Sequence, residues 1–260
     1  MSTSPAPVSP APVSLAAVLR DAVRFWRLHF WYLTAIAAAL WLPLAVFELT
    51  GVAHGIQIDT DHFRFGDVAL NILIVLVFEL LVAEVLAAAS EKIVASDLHG
   101  EELPAPRKFL ATVPWGSLLL GTIVYELGVG VGLIFFVVPG FVIATWGVVT
   151  GPVIVAEGSG PLHAPRRSRE LVRGSFRPVA VFVLLAFVLS EMISSVAGAL
   201  LDLLPHSWAE PSGEYVVHVV TSPLFGMATA VLYYALVARE RARTRTNPPE
   251  AGPLEGIENV

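Results

Sequence analysis

Residues 136–178 read FVVPGFVIATWGVVTGPVIVAEGSGPLHAPRRSRELVRGSFRP. An apolar segment turns at Pro139-Gly140, a second apolar segment returns as far as Glu157-Gly158, and a dense cluster of arginines follows. A single helix from Gly116 to Glu157 would hold 42 residues and run roughly 63 Å, about twice the ~30 Å apolar thickness of a bilayer. The Pro-Gly pair is therefore predicted to be a turn between two spans. Apolar spans alternating with basic interface mark a polytopic membrane protein, and the rest of the chain repeats the pattern.

Composition sets the same class. Hydrophobic residues make up 55% of the 260 residues and charged residues 15%, and the apolar residues are gathered into long runs that a soluble core does not need. The formal charge of -6 says less than its distribution, because the basic residues stand beside apolar spans. No aromatic-interleaved basic face is present, which argues against nucleic acid as a partner. Absence of cysteine excludes disulfides, thiolate metal sites and cysteine nucleophiles.

Working outward, the Ser-, Pro- and Ala-rich residues 1–12 form a solvated, disordered tail. From Val13 to His29 the apolar positions Leu15, Val18, Leu19, Ala22, Phe25 and Trp26 recur at helical spacing, with Arg20, Arg24 and Arg27 on another arc. This predicts an amphipathic helix in the membrane interface. The predicted fold is an all-α polytopic membrane helix bundle with six transmembrane helices, spanning about 30–49, 68–88, 115–138, 141–156, 178–203 and 215–237. Asp67 is the expected N-cap of the second span. The fourth is short and holds Gly147, Gly151 and Pro152, so an oblique placement or local unwinding is expected there. The sixth is expected to be interrupted at Ser222-Pro223. Gly121, Gly128 and Gly132 fall on one face of the third span, where a helix of the same chain or of a second copy in a homo-oligomer can approach closely. Residues 239–260 are a basic, then disordered, tail.

Arginine and lysine set the orientation. Arg20, Arg24 and Arg27 precede the first span, Lys92, Arg107 and Lys108 follow the second, Arg166 to Arg177 follow the fourth, and Arg239 to Arg245 follow the sixth. Six spans place all of these on one side, so both termini are predicted to be cytoplasmic. Arg64 is the exception.

The run PGF, then Pro152, Glu157-Gly158, Ala164, Arg167-Ser168, Leu171 and Gly174 resembles the membrane domain of glycerophosphoryl diester phosphodiesterases and related small bacterial membrane proteins. About 45 residues carry the likeness. In that family the membrane domain can precede a soluble phosphodiesterase barrel, and the residues after Val237 leave no room for one. The resemblance therefore implies a bacterial plasma-membrane protein without that activity.

Two constellations are candidate sites. If Pro165 opens a helix, Arg166, Arg169, Arg173 and Arg177 share one arc, opposite Ser168, Leu171, Val172, Ser175 and Phe176. Arg166, Arg167, Arg169 and Arg173 could anchor the chain against anionic phospholipid, or form a headgroup site in which Glu157 orients them. Glu79, Glu126 and Glu191 are acids placed near mid-membrane, roughly 15 to 20 Å deep at ~1.5 Å per residue. They could be interhelical hydrogen-bond donors or a proton or cation path, with Glu84 and His218 as relays. His54, Asp59, Asp61 and His62 in the first outer connection match no metal pattern. Glycine loops for nucleotides are absent, GVGVG at 128–132 lying inside an apolar span, and no serine stands in a nucleophile-elbow context. No enzyme chemistry and no cofactor are predicted.

Overall fold

The structure, a computed structural model, describes residues 13–49, 65–201 and 209–246. Every regular element among them is an α-helix: α1 (Leu15–Leu28), α2 (Phe30–Leu49), α3 (Phe65–His99), α4 (Pro106–Thr112), α5 (Trp115–Phe135), α6 (Val137–Gly147), α7 (Thr150–Glu157), α8 (Ala164–Arg173), α9 (Phe176–Leu201) and α10 (Ala209–Thr246). Helices α5 and α9, the α6–α7 pair and α10 are each long and apolar enough to cross a membrane, and the α1–α2 pair, bent by 83°, raises that number to five. These apolar helices make the chain a membrane protein.

The amphipathic segment forms as its spacing predicts. Ser14 accepts a hydrogen bond from the Ala17 backbone N–H at 3.4 Å and so caps α1. Val18 and Ala22 face the bundle, while Arg20, Arg24 and Arg27 are exposed. Helix α3 begins at Phe65, which places Asp67 inside the first turn rather than at the N-cap. At 35 and 38 residues, α3 and α10 are roughly 52 and 57 Å long, well beyond the ~30 Å apolar layer.

The turn expected at Pro139-Gly140 lies instead at Phe136, the one residue between α5 and α6, in extended conformation (φ -160°, ψ 142°). Pro139 falls in the first turn of α6, where a missing N–H costs nothing because that donor has no intrahelical acceptor. So short a connection requires the two helices to touch. A Cβ on Gly132 would lie 2.7 Å from the Gly140 Cα, and one on Gly128 would meet Ile143 at 3.5 Å. The glycine face of α5 is thus filled from within the chain, by α6 and, through Gly121 and Ile154, by α7.

The fourth span does break, between Gly147 and Thr150. The sixth does not: α10 runs through Pro223. Thr221 and Ser222 donate to the Val217 and His218 carbonyls at 2.8 and 2.5 Å, and the Trp41 indole N–H donates to Ser222 Oγ at 3.1 Å. These side-chain bonds flank the position at which the proline withdraws a donor from the Val219 carbonyl, without replacing it. The basic stretch 239–246 continues α10.

Among the described residues, burial is concentrated at one end of the bundle. Val85, Leu86 and Ile93 of α3, Met227, Leu232 and Leu236 of α10, Val149 and Val153 beside and within α7, and Val172 of α8 are all but fully buried. Helix α9 has only 12% of its apolar window buried.

Candidate functional site

Helix α8 crosses the α6–α7 break. Its apolar face, Ala164, Ser168, Leu171 and Val172, is buried, and Ser168 Oγ donates to the Trp146 carbonyl at 2.7 Å. The Arg169 guanidinium lies 4.2 Å above the Trp146 ring, a cation–π contact that leaves the N–H edges of the fork free. Arg166, Arg169, Arg173 and Arg177 are all exposed, on the arc that the 3.6-residue period predicts.

Arg167 is held apart from that arc. Its Nε donates to both Glu157 oxygens at 3.1 and 3.2 Å, and its two terminal nitrogens grip Glu240 in a fork at 2.7 and 2.6 Å. Glu170, three residues on, adds a contact at 3.9 Å. The Glu240 hydrogen bonds, and after them the pairing with Glu157, push the Arg167 guanidinium above its usual range, outweighing the opposing effect of burial, so it stays charged. The Arg167 side chain is 20% exposed. Glu157, expected to orient the arginines, orients this one, and the Tyr233 hydroxyl donates to it at 3.2 Å. Arg239 donates to the Gly174 carbonyl and to Ser175 Oγ. One guanidinium therefore ties α7 and α8 to α10, and a second ties the α8–α9 corner to α10. Glu240 was missed in the sequence, although it is the lone carboxylate in the run ARERARTRT.

The acidic candidates are rearranged. Glu84 of α3 accepts a hydrogen bond from the Gly151 backbone N–H, and a Cβ on Gly151 would collide with that carboxyl group. Gly151 is the second residue of α7, whose first N–H groups have no intrahelical acceptor, so a carboxyl from another helix caps it. Glu126 of α5 stands within electrostatic reach of Glu84. On the other side of the break, the Ala144, Trp146 and Gly147 carbonyls of α6 accept from Tyr125 at 2.9 Å, Ser168 at 2.7 Å and Thr150 at 2.6 Å. The break is a built feature, with its freed backbone groups satisfied by side chains from four helices. Thr122, one turn before Glu126, has its hydroxyl buried without a hydrogen-bond partner.

Glu126 is thus brought to Glu84 rather than to Glu79 or Glu191. Glu79 is half-buried and lies five residues before Glu84 on α3, and Glu191 is exposed on α9. His218 stacks on Trp41 with ring centroids 4.4 Å apart. His54, Asp59, Asp61 and His62 lie outside the described residues, among which no group of three or more His, Asp or Glu could hold a metal ion. No family model, curated protein or solved structure matches the chain.

Proposed function

We propose that this chain is a non-enzymatic, multi-pass protein of a bacterial plasma membrane, with six apolar segments and both termini cytoplasmic, which binds anionic phospholipid through the exposed arginine arc of α8. The observation that carries the reading is the division of labour among neighbouring arginines. Arg167 is neutralised by Glu157 and Glu240, so α8 is fixed to the bundle by a bond that leaves Arg166, Arg169 and Arg173 unspent. Each such charge near an anionic surface contributes about 1 kcal/mol, and a preorganised guanidinium row can take a phosphate in bidentate fashion. The resemblance of residues 139–174 to the membrane domain of lipid-related phosphodiesterases is consistent with a lipid ligand. The test is native mass spectrometry of the detergent-purified protein. Wild type is expected to retain a defined anionic phospholipid that an R166Q/R169Q/R173Q variant loses several-fold while staying folded, and equal retention in the two overturns the reading.

A second reading is favoured by the Glu84–Glu126 pair at a helix break. Two carboxyl groups within electrostatic reach of each other in an apolar layer can exchange protons or hold a cation between them, and interrupted helices supply sites of this kind in transporters. Proteoliposomes loaded with a pH-sensitive dye would report proton or sodium flux. A flux abolished in E84Q/E126Q supports it, and no flux in wild type removes it.

A further inference from the structure

A trench runs along the membrane-facing side of the bundle between α9 and α10, and α1 lies across one end of it. Its α1 end is a cavity of about 390 Å³ whose walls include Val23, Leu185, Ala186, Leu224 and Ala228. A second cavity, between α9 and the earlier part of α10, shares Leu189 and Met192 with the first. The two follow one another along α9 from Phe182 to Leu200, roughly 27 Å at 1.5 Å per residue and close to the ~30 Å of the two leaflets together, so that each is about one leaflet deep.

The closed end carries the information about the occupant. The 83° bend between α1 and α2 turns α1 across the trench, so that Leu19 and Val23 line it. Next to them on the same helix stand the exposed Arg20, Arg24 and Arg27. Arg20 has Asp21 at 3.5 Å, whereas Arg24 and Arg27 make no ion pair among the described residues. The site is therefore the α1-end cavity, from Phe182 to Met192 on α9, about one leaflet deep and with a basic lip at its interfacial end. A second copy of the chain seated here would bring two sets of unpaired arginines together, and a neutral apolar partner would leave the lip unused. A lipid with an apolar tail and a negative headgroup satisfies both ends.

We propose that this trench binds the acyl chain of an anionic phospholipid whose phosphate is held by Arg24 and Arg27. The site is separate from the α8 arc and uses none of its residues. The probe is phosphatidylglycerol carrying a diazirine on its acyl chain, added to phosphatidylcholine vesicles that hold the purified full chain. After photolysis and digestion, adducts are expected to concentrate on the trench wall of α9, at Leu185, Leu189 and Met192, over its lipid-facing residues Leu184 and Phe187. Trench labelling should fall roughly tenfold in R24Q/R27Q, whose exposed side chains can change without disturbing packing. It should also fall in Ala186→Trp, which fills the slot, while R166Q/R169Q/R173Q leaves it unchanged. Even labelling around α9, or equal trench labelling by a diazirine phosphatidylcholine, overturns the proposal, as does labelling that survives R24Q/R27Q.

Discussion

The end of the bundle that holds α7, α8 and the later parts of α3 and α10 is packed like the interior of a soluble protein, and the described residues of the opposite end stand open. At the packed end Leu86, Val149, Val172 and Leu236 have almost no exposed surface. A Cβ on Gly226 of α10 would lie 2.8 Å from the Leu86 carbonyl carbon, and charged pairs tie three helices together. At the open end Leu42, Val46, Leu127, Val131, Val196 and Leu200 stand exposed, and the hairpin tip Phe136–Val138 is more than 70% exposed without a polar residue among the three. The membrane placement proposed above accounts for the difference. Where helices project into water, the hydrophobic effect gathers them into a core. Where lipid tails surround them, helix association gains little from burial and relies on close backbone contact and polar pairs.

The comparison breaks most sharply under truncation of matched leucines. Leu86→Ala is expected to destabilise the protein by about 2 to 5 kcal/mol, as buried leucine truncations do. Leu200→Ala, at a residue 60% exposed on α9, should lie within about 0.5 kcal/mol of wild type. Thermal unfolding in detergent reads both, and equal losses would mean that the two ends are packed alike.

Next in size is Arg167→Ala, which strands Glu157 and Glu240 with their positive partner removed. Because all three side chains keep some exposure, the expected loss is about 2 to 3 kcal/mol, below that of a fully buried pair. Arg166→Ala should cost about 0.5 kcal/mol or less in the same assay. A third contrast lies within α5. Gly132→Leu forces α5 from the Gly140 backbone and should cost about 1 to 3 kcal/mol by overpacking. Gly130 has nothing within 4 Å of its would-be Cβ, so Gly130→Ala should be neutral or stabilising by about 0.5 to 1 kcal/mol. If the two behave alike, the α5–α6 hairpin is not held by the glycine contact.

Much of the architecture was legible because hydrophobic run length and arginine spacing are local quantities. The amphipathic character of α1, the break near Gly147–Gly151 and the two faces of α8 all follow from periodicity and helix-breaking residues. What failed depended on tertiary contact. Pro139 resembled a turn signal, yet a proline is equally at home in the first turn of a helix, and only the touching of Gly132 and Gly140 shows where the chain reverses. Pro223 resembled an interruption because a missing N–H is a local signal, whereas the packing of α10 on α2 and α3 is not. Glu79, Glu126 and Glu191 were grouped by depth, a one-dimensional coordinate, whereas Glu84 reaches Glu126 because α3 and α5 are neighbours around α7. Glu240 escaped because its partner lies 73 residues away in the chain.

The packed end, with its basic helices, is proposed to face the cytoplasm, and the lipid-binding arginine face depends on that orientation. Since the chain holds no cysteine, a single introduced thiol reports its own location. Glu101→Cys lies in the exposed connection between α3 and α4, and Thr60→Cys lies in the connection between the first two predicted spans. With a membrane-impermeant maleimide on intact cells, Thr60→Cys should label at once and Glu101→Cys only after the membrane is permeabilised. Labelling of Glu101→Cys on intact cells would contradict the orientation and with it the cytoplasmic arginine face.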